Sequence, residues 1–231
     1  KIRENNRNSF ITHYLKKDQL RVTKGDIIGY CGDTGSLSGP HLHFEIRDKN
    51  GFPINPLKNY YSISDTLRPV AESMVIIPLN NNCYINGIQE YSLFDIEPLL
   101  FYNNSNTYKY FIKDTISVIG EFGIGIEVYD QINLSPFDFG IYGIEMLIDN
   151  KIQYKINFDT YNFKHDYLIY KEIDYYMLEK ESRSFHRLFL DDNNDLDFIN
   201  NKSNNGITLD NGYHNLIINV TDNFNNSIQI Q

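Results

Sequence analysis

Tryptophan is absent from the 231 residues, and only two cysteines and three methionines occur. Cys31 and Cys83 are too few for a disulfide-stapled scaffold and have no C-x-x-C spacing, which excludes a cysteine-rich zinc site and a dithiol redox motif. Long apolar runs are also missing. None approaches the roughly 18 residues that cross a bilayer, so no membrane span is expected in this chain. Positive charge is in deficit, with 21 Lys+Arg against 30 Asp+Glu and a net charge of −9. A general nucleic-acid binder depends on neutralising phosphates, so that class is excluded. No basic stretch followed by an apolar one marks a signal peptide, and the first residue is Lys rather than Met, so a missing N-terminus is expected.

What is present is the composition of a folded chain, 41% hydrophobic and 22% charged. The length suits one large domain or two smaller ones. Asparagine makes up about one residue in eight, so the N-x-S/T sequons at Asn103, Asn201, Asn219 and Asn225 are expected by chance and carry no weight. Charge divides unevenly: residues 1–57 hold 9 basic and 6 acidic groups, the remainder 12 and 24. The stretch from Pro56 to Pro69, polar between its two prolines, reads as the junction, giving regions 1–57 and 70–231 with a linker over 58–69.

In the first region, Ser9–Tyr14 and Gly25–Tyr30 read as short strands. A Gly/Ser/Pro-rich loop over 32–40 then leads into His41–Ile46, which alternates like a half-buried strand. In the second region, alternating runs at 73–79, 108–112, 115–119, 125–129, 144–148, 152–158, 186–190 and 216–220, separated by Asn/Asp/Gly turns, predict an Ig-like β-sandwich. Asp149-Asn150 between two of them suits a hairpin turn. Tyr167–Glu181 carries Leu168, Ile169, Ile173 and Met177 at helical spacing and predicts a short helix. The fold class expected is therefore all-β.

The chemistry concentrates in His41-Leu42-His43-Phe44-Glu45. On a strand, alternate side chains share a face, so His41, His43 and Glu45 are expected to project together while Leu42 and Phe44 enter a core. One imidazole on such a face can hold a metal while the other, roughly 7 Å along the strand, addresses substrate or attacking water.

The run Val22 to Arg47, containing Gly25-Asp26-Ile27-Ile28-Gly29, Gly32-Asp33-Thr34-Gly35 and Ser38-Gly39-Pro40-His41-Leu42-His43-Phe44-Glu45 and followed by Asn55-Pro56, closely resembles the end of the LytM/lysostaphin-type zinc metallopeptidases, peptidase family M23. The resemblance covers about 50 residues. It implies a mainly antiparallel β-domain, here truncated to its C-terminal part, that binds Zn2+ and hydrolyses peptide bonds of peptidoglycan. By position, His43 is implied as a zinc ligand and His41 as the histidine that acts on the zinc-bound water. Ser9–Leu15 resembles the upstream strand that carries a further catalytic histidine, which makes His13 its counterpart. Glu45 is expected to hydrogen-bond the ring nitrogen of a ligand or a neighbouring strand. The resemblance also implies a location in the periplasm or at the cell surface, and 70–231 resembles the sandwich appended to some Gram-negative-type envelope peptidases of this family, with three roles open: positioning at the wall, contact with an envelope-protein partner, or occlusion of the active site.

The family's other ligands come from an H-x-x-x-D motif, and no histidine of this chain has Asp at the fourth place after it. One imidazole cannot hold catalytic zinc, so the chain alone is expected to be inactive. Either it is a fragment of the enzyme, the reading favoured by the retention of His41 and His43, or it is a metal-free relative that activates a cell-wall amidase. Other signals fall short. Asp191–Asp197 lacks the Gly and Glu of a calcium loop, Gly120, Gly123 and Gly125 miss the dinucleotide spacing, and His165, His186 and His214 read as structural.

Overall fold

The computed structural model describes residues 18–19, 21–32, 39–59, 63–99, 108–190 and 206–231. The chain divides into two compact units, one ending at Phe44 and the other running from Glu45 to Gln231.

In the first unit, the described residues form turns and extended coil. The strand expected at Gly25–Tyr30 does not form, and in 41–44 the only ladder contact is an isolated bridge between Gly32 and His41. Leu42 and Phe44, expected in a core, are 79% and 57% exposed, and Ile27, Ile28 and Tyr30 are exposed as well. A strand is stable only when a neighbour satisfies its backbone and covers one face. Among the described residues of this unit that single bridge is all the pairing there is.

The second unit is all-β. Its strands are β1 (Ile46–Arg47), β2 (Pro53–Ile54), β3 (Val70–Pro78), β4 (Tyr84–Ile85), β5 (Ser92–Asp95), β6 (Glu97–Pro98), β7 (Tyr108–Phe111), β8 (Val118–Ile119), β9 (Phe122–Gln131), β10 (Asp138–Phe139), β11 (Gly143–Ile148), β12 (Lys151–Asn157), β13 (His186–Arg187), β14 (Leu216–Thr221) and β15 (Ser227–Ile230). One sheet runs β10-β9-β3-β5, with β13 also on β9; the other runs β12-β11-β14-β15-β7-β6, and two small ladders join β1 to β2 and β4 to β8. All pairs are antiparallel except β15 with β7.

One apolar cluster joins the two larger sheets: Met74, Ile76, Ile124 and Ile126 from the first meet Ile144, Met146, Ile218 and Ile230 from the second. That is the sandwich expected from the alternation. β3 is buried on both faces, which explains its unbroken Met74-Val75-Ile76-Ile77. Val75 and Ile77 point away from the shared core into a second cluster with Met177, Phe185 and Phe189. On β9 the same outer face carries Gly123 and Gly125, and a Cβ at Gly123 would stand 2.4 Å from the Phe189 ring. Gly123 is what lets the Phe189 ring lie on the sheet, and a Cβ at Gly125 would stand 2.8 Å from Val75 Cγ1.

The hairpin at Asp149-Asn150 forms as expected, with φ of 50° and 64° at the two positions, the left-handed pair that matches strand twist. The helix expected over 167–181 is broken. A 3-10 turn at Phe163–Leu168 leads into α2 (Ile169–Glu172), and α3 (Tyr175–Glu181) starts afresh after Asp174, whose side chain caps it by accepting the Met177 N–H at 2.9 Å. An Asp with this capping role is a stop and restart signal that apolar spacing alone does not reveal. A single helical turn, α1 (Pro56–Asn59), follows β2. The chain on both sides of the expected linker start is held within this unit: Asn55 Nδ2 donates to the Phe158 carbonyl and to Asn223 Oδ1 at 2.9 and 2.7 Å, and Lys58, the first residue of that linker, pairs with Asp159 at 2.8 Å.

Candidate active site

The segment leading to the histidines is built from two tight turns. Thr23 N–H donates to Asp26 Oδ2 at 2.8 Å while Asp26 N–H donates to the Thr23 carbonyl at 3.1 Å. Gly25, between them, has φ +104°, a conformation that needs glycine. The backbone and side-chain hydrogen bonds from Thr23 hold the Asp26 carboxyl below the usual range. After the loop, Gly39 takes φ +100° and turns the chain through Pro40 into His41, whose N–H donates to the Gly32 carbonyl at 3.2 Å.

The carbonyl of Gly39 does a second job. It lies 3.0 Å from His41 Nδ1. A carbonyl only accepts, so Nδ1 must carry the proton, and Nε2 of neutral His41 is left with its lone pair. His41 is half-buried and its ring is thereby held in one tautomer and one orientation. His43 is exposed. The expected common strand face is absent here, because regular strand begins only at Ile46. Glu45, in the second unit, is held by Arg47, whose Nε donates to Oε1 at 2.9 Å with Nη2 on the same oxygen. His13 lies outside the described residues.

Residues 4–56 match the family model described as Peptidase family M23. The M23 segment is 51% identical over 39 residues to the DD-carboxypeptidase/endopeptidase Mpg of Neisseria meningitidis serogroup B, a stretch of 17% of this chain and 9% of that protein. It is 41% identical over 58 residues to the peptidoglycan DD-endopeptidase ShyA of Vibrio cholerae and 39% identical over 62 residues to ShyB of the same organism, covering 22% and 24% of this chain and 13% and 14% of theirs. The chain thus spans under a sixth of the length of these curated relatives. No solved structure matches it. The M23 match ends at Pro56 and overlaps the second compact unit from Glu45 onward.

A zinc site needs three protein ligands with an open fourth position. The described part of the M23 segment supplies His43 as one exposed imidazole, without two further donors grouped around it, so the described residues do not make up that site. Among the described residues one group of three does place its donor atoms together, Asp65, Asp130 and Asp222, and all three belong to the second unit. Sequence reading missed it. The three are 65 and 92 positions apart, and only the fold brings them to one place. Burial first, then the neighbouring Asp222, pushes the Asp130 carboxyl up to about 7; Asp65 adds to this and the nearby Gln131 N–H offsets part of it.

Two further histidines, His214 and His186, each bond an acidic side chain in the second unit. His214 Nδ1 bonds Asp149 Oδ2 at 2.7 Å and Nε2 donates to the Asp210 carbonyl at 2.8 Å, which together hold its pKa above the ordinary value. His186 is bonded through Nδ1 to the buried Glu172 carboxylate. Burial alone would lower the pKa of His186; the charge of Glu172 and the hydrogen bond outweigh it and hold the imidazole above its usual value.

Proposed function

We propose that this chain carries part of a zinc-dependent M23 endopeptidase that hydrolyses peptide bonds of peptidoglycan, with residues 1–57 as the peptidase part, 58–69 as a linker and 70–231 as a sandwich accessory region. The observation that supports it most directly is the fixed tautomer of His41, set by Gly39 within the matched segment. In this reading His43 is a zinc ligand, and the remaining ligands come from outside these 231 residues. Zinc in such a site lowers the pKa of bound water and polarises the scissile carbonyl. His41 contributes at Nε2, whose lone pair can accept a proton and hand it on. His13 serves as a second catalytic histidine, and Glu45 orients a neighbouring group while paired with Arg47. Relatives named as peptidoglycan endopeptidases support the substrate, and with it a place in the bacterial envelope, where the sandwich meets an envelope-protein partner.

The test is cleavage of cross-linked muropeptides by the complete gene product. His43→Ala should lose both metal and activity, and His41→Ala should keep metal while losing turnover. A second reading, a metal-free relative that activates a cell-wall amidase, is favoured by one observation, the lack of any H-x-x-x-D in the chain. Activation of an amidase that survives the double His41→Ala/His43→Ala change would select it.

A further inference from the structure

Asp65 in the 63–69 coil, Asp130 near the end of β9 and Asp222 just past β14 each bring a carboxylate oxygen within 4.8 Å of the other two. Asp130 and Asp222 are each 1% exposed. Asp222 has local partners: Oδ1 accepts the N–H groups of Phe224 and Asn226, both at 2.8 Å, and Oδ2 accepts from Asn226 Nδ2 at 2.6 Å. Asp65 Oδ1 accepts the N–H groups of Leu67 and Asn133, both at 3.2 Å. The other oxygens are different. Asp65 Oδ2 and both oxygens of Asp130 are buried with no hydrogen-bond partner. Among the described residues no Lys, Arg or His forms an ion pair with any of the three.

Three carboxylates converging without a counter-charge are unstable, and a buried carboxylate with neither hydrogen bond nor cation is the costliest member of such a group. A single shared proton leaves at least one of the three orphaned oxygens unmatched. A cation between them satisfies all three at once. The donors are all hard oxygens, which selects calcium or magnesium over zinc or copper. Magnesium dehydrates reluctantly and usually keeps several waters, whereas calcium takes mostly protein oxygens in a flexible shell, so a group with two fully buried carboxylates suits calcium. The geometry points to a calcium site at Asp65, Asp130 and Asp222 that ties the 63–69 coil to the ends of β9 and β14. This inference does not depend on the peptidase reading.

The test is calorimetric titration of the EGTA-stripped 231-residue chain with calcium chloride to about 10 mM, a range that covers weak extracellular sites, together with thermal melting. About one calcium should bind per chain, and Tm should rise by about 5–10 °C at a hundredfold excess over the dissociation constant. Asp130→Asn should abolish both effects. Asp65→Asn, placed in a half-buried coil, should weaken binding at least tenfold and serves where the buried variant fails to fold. No binding heat and no shift in the unaltered chain would overturn the proposal. So would a calcium shift that survives both variants. An Asp130→Asn chain that is more stable than the parent, with calcium inert on both, would assign the cluster to a shared proton and overturn it as well.

Discussion

Gly123→Ala should destabilise the sandwich through one identifiable contact. A Cβ at this position would stand 2.4, 2.6 and 2.7 Å from Cε1, Cδ1 and Cζ of Phe189, where carbon atoms pack at about 3.5–4.0 Å. The ring must therefore move by about 1 Å. It has little room, being 2% exposed and enclosed by Val75, Ile77, Met177 and Phe185. Overpacking of this kind costs about 1–3 kcal/mol. Replacing glycine in a strand returns about 0.5–1 kcal/mol of backbone entropy, so the net loss should be about 1–2 kcal/mol. In a unit of this size that lowers Tm by about 2–8 °C. The decisive assay is a double-mutant cycle on the full chain, followed by urea melts in far-UV circular dichroism. In a Phe189→Leu background the added methyl has space, and Gly123→Ala should become neutral or stabilising, a coupling of about 1 kcal/mol or more. Additive effects of the two changes would refute the claim that Gly123 makes room for the Phe189 ring.

Three further outcomes are expected. Gly39→Ala meets nothing within 4 Å, so its cost is purely the φ of +100°, about 1–2 kcal/mol; because the Gly39 carbonyl holds His41, the complete enzyme should lose about tenfold or more in kcat with its zinc content unchanged, and an unaffected kcat would contradict the orienting role. His186 has a folded-state pKa above its unfolded value, so its contribution to stability is fully present below about pH 6.5 and is lost as pH rises through the raised folded value; Glu172→Gln should flatten that slope in melts across pH 5.5–8.5 (about one pH unit or more to either side of the unfolded value), and an unchanged slope would sink the assignment. Asn150→Gly relieves a left-handed non-glycine residue at φ 64° in the hairpin turn and should stabilise by about 0.5 kcal/mol, read as a higher urea midpoint.

Much of the sandwich was visible in the sequence because a buried strand must alternate or run apolar. The runs around Met74–Ile77, Ile144–Ile148 and Leu216–Val220 all became strands, with ends shifted by a few residues. Ser92–Asp95 and Ser227–Ile230 escaped because strands of only four residues carry too little pattern. The long helix failed at Asp174, where a side-chain cap outweighs the spacing of apolar residues. In the M23 segment, motif and geometry diverge. His41 and His43 stand out in the sequence as candidates for chemistry, yet the strand face expected to hold them depends on neighbours that local sequence cannot supply. The Asp65/Asp130/Asp222 cluster left no sequence trace at all, since long-range topology alone assembles it.

The central claim is that His43 is a ligand of catalytic zinc, and the most direct measurement is the zinc content per molecule of the complete gene product by plasma mass spectrometry. The account predicts about one zinc in the unaltered protein and in His41→Ala, and none in His43→Ala. A complete product that purifies and refolds with zinc yet retains none, or a His43→Ala protein that keeps its full complement, would contradict it.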